Sequence, residues 1–344
     1  MLDFIVVLLN KPVLADQYQI MNKKIQFLTI SLLLIIAALF INSVQNKGTS
    51  DDYFQQAFQK KYSVFSLPIP DSLTFAGELV PLDYFDVRES LDQELLVNTY
   101  WQSQTLLFIK RAHRYFPQIE ENLKEKGVPD DFKYLVLAES DLKNAVSPSG
   151  AVGIWQLLKG TAKDYGLEVN EEVDERYHFE KSTEAACEYF KDAHDLFGSW
   201  TMAAASYNMG RRGLIRQVNR QKENSYYDLL LNSETNRYIY RILAIKLILE
   251  DPDKYGFHVR KEDLYHPVPT LELKVDTAVT DFADFAKKYS INYKILKYFN
   301  PWLRDSFLSN NSGKEYFIKI PKDGYRSYSK IIDYFEIDST SIKD

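Results

Sequence analysis

The sequence is poor in the residues that most often build disulfides, metal centres and nucleic-acid sites. It has one cysteine, Cys187, in 344 residues, which excludes an internal disulfide. That cysteine sits in an Ala-rich helical pattern and reads as a small buried residue. The five histidines are scattered, and no Cys/His cluster has the spacing of a metal site, so no metal or cofactor is expected. Positive charge is in deficit. Lys and Arg number 42 against 48 Asp and Glu, a net charge of −6, whereas a nucleic-acid binder usually presents a basic patch; no nucleic-acid partner is expected. Long apolar runs are also missing, with one exception. Residues 25–41, from Ile25 to Ile41, are almost continuously apolar and follow Lys23 and Lys24 directly. A positive flank before an apolar run is the pattern of an export signal or a membrane anchor. The run approaches the roughly 20 residues that span a bilayer. No clean small-residue cleavage site follows it, Ile41-Asn42-Ser43 being a poor one. The segment therefore reads as an anchor, with a cleaved signal as the alternative, and it places the rest of the chain outside the cytoplasm, in the periplasm or cell envelope. Residues 1–24, with Met21 just before the lysines, read as a segment that an upstream mis-start would add. Residues 42–79 read as a polar linker and an extended lead-in punctuated by Pro68 and Pro70.

What is present suits a folded chain of more than one domain. Apolar residues make up 45%, enough for a sizeable core, and 24 Tyr with 21 Phe supply both core rings and flat faces on which sugars stack. From about Asp86 to Lys126 the pattern is helical, and its basic stretch Lys110 to Arg114 reads as a solvated face. Gly127-Val128-Pro129 ends it. Asp130 and Asp131 then look like caps of a new helix. Phe132, Leu135 and Val136 recur at helical spacing, and Glu139 is the next member of that apolar series. A carboxylate there is poorly hydrated, which raises its pKa, and a carboxyl that is neutral near pH 7 can donate the proton that cleaving a glycosidic bond requires. A lone Glu at a helix end often does no more than reach water or an arginine, so the residues that follow decide.

Ser147 to Gln156, with two serines, one proline and two glycines, reads as a tight loop that brings backbone close to a ligand. Helices are expected at 160–165, 184–197, 200–208 and 234–250, the last with Tyr238, Ile242, Ile245 and Leu249 on one face. No second carboxylate is placed as Glu139 is. After Pro267 and Pro269 the pattern becomes strand (270–275), helix (278–289), helix (293–299) and strand (316–320), followed by an amphipathic tail.

Taken together, Glu139-Ser140, Gly150-Ala151-Val152-Gly153-Ile154-Trp155-Gln156, Thr161-Ala162, Tyr165-Gly166-Leu167, Val173-Asp174-Glu175-Arg176, Ser182-Thr183, Ala185-Ala186, Ser206-Tyr207-Asn208-Met209-Gly210 and Glu234-Thr235 with Tyr238 resemble the membrane-bound lytic murein transglycosylases of the D type. The resemblance implies a mainly α fold: a goose-lysozyme-like helical SLT domain over residues 80–257, then a small α+β LysM-like (βααβ) module over 268–322 and a tail at 323–344. It also implies that peptidoglycan glycan strands are the substrate and that Glu139 is the single acid/base, forming a 1,6-anhydromuramoyl end. Gln156 would contact the sugar beside the cleaved bond, Tyr207 and Asn208 would line the site, Tyr238 would hydrogen-bond the acid, and Ser147 would sit near the acetamido group. Tyr238 equally fits the apolar stripe of its helix. A single carboxylate suits an internal nucleophile, since hydrolases normally need two. The chain departs from the family pattern at a one-residue-shorter interval between Leu142 and Ala145, at Leu158-Lys159 in place of a proline, and at Ser206 and Met209. Val275-Asp276-Thr277 stands where the LysM-like module typically has Gly-Asp-Thr. A muramidase using water and a non-catalytic wall-binding scaffold are the alternatives.

Overall fold

The computed structural model describes residues 11–45, 52, 55, 56, 59 and 64–340, so part of the expected linker, residues 1–10 and the last four residues lie outside it. The chain divides between Ser66 and Leu67. In the first unit, α1 (Lys11–Gln45) is a single helix. Within it, Tyr18–Ala37 is long and apolar enough to cross a membrane, with none of it buried. It begins before the apolar run at 25–41 and includes Lys23 and Lys24. Thr29 satisfies its hydroxyl inside the helix, on the carbonyls of Ile25 and Gln26, so it exposes no open donor to an apolar surround.

The second unit opens with a hairpin, β1 (Thr74–Phe75) and β2 (Glu78–Leu79), turned at Ala76 and Gly77, both at positive φ. The long helical stretch expected from Asp86 is two helices, α2 (Phe85–Tyr100) and α3 (Gln102–Lys126), broken at Trp101. Gly127 ends α3 in the left-handed conformation, its N–H on Leu123 and Lys124, as a C-terminal glycine does. The short α4 (Phe132–Ser140) follows. Asp131 does not cap it, contrary to expectation. Its carboxylate accepts from the Ala76 N–H and from Lys246 Nζ, both at 2.7 Å, tying the hairpin to a distant helix. Lysine and backbone donors at close range outcompete a local cap that water can replace.

Strands β3 (Ala145–Val146) and β4 (Val152–Gly153) pair antiparallel. Then come α5 (Lys159–Asp164), α6 (Phe179–Phe197), α7 (Trp200–Met209), α8 (Arg211–Gln221) and α9 (Ser233–Glu250). Helix α6 starts before the expected residue 184, because His178 delivers the chain into it from a 3-10 turn at Glu175–Tyr177. The carboxylate of Glu78 caps α7 from across the molecule, accepting from Trp200 N, Thr201 N and the Ser199 and Thr201 hydroxyls at 2.6–2.9 Å. A negative group there also complements the helix dipole. Those bonds outweigh burial and hold the Glu78 carboxyl below its usual range.

The C-terminal module is β5 (Thr270–Val275), α10 (Phe282–Lys288), α11 (Tyr293–Phe299) and β6 (Tyr316–Pro321), with β5 antiparallel to β6. Asp281 and Asn292 cap its two helices. The first is shorter than expected because Val279 bridges to Leu308 instead of winding. A helix, α12 (Tyr328–Thr340), ends the described chain.

Two apolar cores result. The larger gathers the buried faces of α2 to α9. Phe132 sits at its centre against Phe75, Phe190 and Trp200, with ring centroids 4.4–5.6 Å away; burying each such ring contributes about 1.5–3 kcal/mol. The second is shared: Phe282, Leu296, Trp302 and Ile318 of the module pack with Val152, Val173 and Tyr177 of the helical domain. The fold is mainly α, as expected, and the basic residues of α3 are not simply a solvated face. Arg114 donates to His266 O (2.9 Å) and Tyr298 Oη (2.9 Å), and Arg111 to Asp141 O (3.1 Å).

Candidate active site

Glu139 occupies the last turn of α4, a helix held by buried Phe132, Leu135, Val136 and Leu137. The helix stops where Asp141 and Leu142 take positive φ. Arg111 covers the Asp141 carbonyl, and Ser140 Oγ donates to Ile154 O at 2.6 Å, fixing the helix end to the loop beyond. Tyr238 of α9, itself fully buried, donates its hydroxyl to Glu139 Oε1. Burial is the largest influence on the acid and pushes it up, and the negative charge of Glu234 adds to this. The Tyr238 hydrogen bond and the charge of Arg241 pull the other way, and the net result is a carboxyl raised to about 7. Tyr238 and Tyr207 are both driven well above the usual phenol range by burial first and the Glu139 charge second. They remain protonated and act as donors near neutral pH. Tyr207 uses its hydroxyl on Trp155 O, at 2.5 Å.

The stretch from β3 through β4 to Gln156 forms the second wall, the loop of the site. Gly153 has φ +84°, and a Cβ there would stand 2.0 Å from Arg176 O, so only glycine fits. Arg176 is buried, paired with Asp174 at 2.8 Å, and donates to the carbonyls of Gly150 (3.1 Å) and Leu157 (3.3 Å). Trp155 is fully buried with its indole N–H on Thr183. Gln156, at φ +48°, uses its amide NH2 on Ala145 O (3.0 Å) and Gly153 O (2.8 Å). With both donors engaged, its Oε1 is the atom left for a ligand. Ser147 folds inward on its own turn: its Oγ accepts from Ala151 N (3.0 Å) and lies 2.9 Å from Ser149 Oγ.

The structure thus brings Glu139, Tyr207 and Tyr238 into one cluster. Asn208 joins it at one remove, accepting from Thr235 Oγ1 (2.8 Å) and donating to Glu234 Oε1 (3.4 Å). Gln156 and Ser147 belong to the loop wall, held by bonds within that loop. Two charged residues outside the set expected from the sequence also act on the acid, Glu234 and Arg241, whose charges reach Glu139; Arg241 in turn pairs with Glu94, buried on α2. Glu234 and Arg241 share one helical face with Tyr238 at spacings of four and three, a signal available in the sequence.

Residues 117–230 match the transglycosylase SLT domain, and residues 271–324 match the soluble lytic transglycosylase C-terminal LysM-like domain. The chain therefore carries a transglycosylase SLT domain followed by a LysM-like domain. Among individual proteins it is similar to membrane-bound lytic murein transglycosylase D of Escherichia coli strain K12. The identity is 28% over 289 residues, covering 81% of this chain and 62% of that protein. The protein of the same name from Escherichia coli O6:H1 matches to the same extent. The chain spans 62% of the length of these curated relatives.

Proposed function

We propose that the protein is a peptidoglycan lytic transglycosylase with Glu139 as its acid/base, acting on the β-1,4 bond between N-acetylmuramic acid and N-acetylglucosamine. The observation that carries this reading is the Glu139 carboxyl, raised to about 7 by burial and held by Tyr238. A general acid works best with a pKa near the operating pH. Glu139 gives its proton to the glycosidic oxygen, and the bond from that oxygen to the muramoyl C1 breaks. The muramoyl C6 oxygen attacks C1 and its proton passes to the Glu139 carboxylate, restoring the acid. No water is consumed, and the product ends in 1,6-anhydromuramic acid. Tyr238 occupies Oε1, leaving Oε2 to carry the proton. Gln156 contributes Oε1 to the sugar next to the cleaved bond, Tyr207 and Asn208 line the site, and Ser147 sits towards the acetamido group. The helical domain takes residues 80–257 and the LysM-like module 268–322, with glycan strands as the common ligand. Helix α1 attaches the protein to the membrane, with the catalytic unit in the periplasm.

One observation favours a second reading. Glu234 is a carboxylate whose charge reaches Glu139, and two carboxylates can activate water in a muramidase. Mass spectrometry of the products released from purified sacculi separates the two. Muropeptides ending in 1,6-anhydromuramic acid are expected. Reducing ends, heavier by one water, would move the assignment to hydrolysis. Sedimentation with the sacculi and no soluble product would leave only a binding scaffold.

A further inference from the structure

Next to Tyr238 on α9, Arg237 and Arg241 pair with a buried glutamate of α2, and nothing in the acid/base step described above accounts for it. Glu94 of α2 is 1% exposed, and α2 packs along α9. Taking a carboxylate out of water costs several kcal/mol, and an apolar pair at such a contact is often as stable or more so. Packing alone therefore gives no reason for a glutamate here. Its two oxygens are used differently. Oε1 accepts from Arg237 Nε at 2.5 Å. Oε2 is buried without a hydrogen bond and lies 3.7 Å from Arg241 Nε. Arg237 is thus hydrogen-bonded to Glu94, whereas Arg241 is paired with it by charge. Arg241 follows Tyr238 by three residues on the same helix face, its side chain is one-third exposed, 33%, and its charge reaches Glu139.

We propose that Glu94 and Arg241 form a positioning pair for Glu139: Glu94 holds and neutralises the guanidinium while the acid keeps its proton, and Arg241 stabilises the carboxylate once the proton has left. This rests on reading Glu139 as the acid/base. Stabilisation that appears only as charge develops is the kind that accelerates a step. The groups around the acid are Tyr238, Glu234 and Arg241 from α9 and Tyr207 from α7. Those around Glu94 are Arg237 and Arg241 from α9 and Tyr226 from the turn before it. Among the described residues, Arg241 is the cation whose charge acts on Glu139.

The pair predicts shifts of opposite sign. Glu94→Gln keeps the shape and an acceptor for Arg237 but frees the Arg241 charge, so Glu139 should titrate lower, by about half a unit to one unit. Arg241→Met keeps the stem and removes the charge, so Glu139 should titrate higher by a similar amount. In the double variant the effect of Glu94→Gln should vanish. The midpoint is read by carbon-detected NMR of the Glu139 carboxyl in the intact protein, assigned by its loss in Glu139→Gln, and set beside the pH profile of cleavage. Unchanged midpoints in both single variants, or shifts of the same sign, would overturn the proposal. If Glu94→Gln does not fold, the Arg241→Met shift decides alone, since that side chain is partly exposed. The NMR midpoint needs no turnover, so a wild type that forms no anhydro product would defeat the functional reading without touching this measurement.

Discussion

Glu139 is in conflict with its surroundings: burial favours the neutral acid, while chemistry requires it to ionise and recover in each cycle. That conflict has a thermodynamic signature with a definite sign. A carboxyl raised from 4.5 to about 7 makes the folded state less stable once the unfolded chain ionises. The penalty begins as pH rises through 4.5 and is complete above about 7, where it amounts to about 3 kcal/mol at 1.36 kcal/mol per unit. Glu139→Gln should therefore melt at a higher temperature than wild type at pH 8 and at the same temperature at pH 4, by calorimetry. The same substitution should slow cleavage by about 10²–10⁴-fold, the range for removing a general acid. A destabilised variant at pH 8 would show that the carboxylate is not strained. Tyr238→Phe removes a hydrogen bond that favours the ionised acid. The high-pH limb of the rate profile should then move up, while the rate falls about 10- to 100-fold through loss of one charge-assisted bond. A profile that shifts to lower pH would contradict this.

At the scale of elements, the site is one short helix, one glycine-bearing loop and one face of a long helix, and these were unequally legible in the sequence. Periodicity placed Glu139 at the inner edge of α4, because Phe132, Leu135 and Val136 recur on its apolar face and are buried in the structure. It also gave the face of α9 that carries Tyr238. Local pattern says nothing about which distant side chain meets which, so the ties from Asp131 to Lys246 and from Glu78 to the start of α7 were not readable. Helix α8 carries no apolar period to read, because its sequence is strongly polar, with Gly213 in its first turn and Leu214 as its one buried residue. The role of Gly153 was visible only as one glycine among several in a loop, yet the position is the most constrained of them. Gly153→Ala should cost about 1–3 kcal/mol from the positive φ alone, with more from the approach to Arg176 O, where a Cβ would stand at 2.0 Å. Denaturant unfolding at constant m-value measures the loss. Full stability in that variant would mean that the loop moves aside freely and is not the rigid wall described here.

For the second unit as a whole, the C-terminal module is docked on the helical domain and not tethered to it. Val152 of the active-site loop and Val173 and Tyr177 beside it complete the module's core. Asp174 N donates to Trp302 O at 2.9 Å and Arg304 N to Glu172 O at 2.7 Å, while Ser309 is held by the Glu172 carboxylate. Glu180, at the first turn of α6, pairs with Lys319 of β6. Burial pushes Glu180 up, but His178 and Lys319 more than offset that, and the carboxyl is held at about 2. Because this pKa is depressed, the pair's contribution is present above the unfolded value of 4.5 and is lost as pH falls through about 2. Lys319→Met should thus destabilise by about 1–3 kcal/mol at pH 7, between the values for exposed and fully buried pairs. The difference from wild type should shrink below pH 4.5 and close near pH 2, the reverse of the Glu139→Gln series. Because the module's core is shared with the active-site loop, the same variant should also lose cleavage while the Glu139 titration midpoint stays in place. Calorimetry across pH 2–8 and product assays on one preparation test both arms. A variant that is destabilised but cleaves as wild type would mean that the docked module stabilises the chain without supporting the loop.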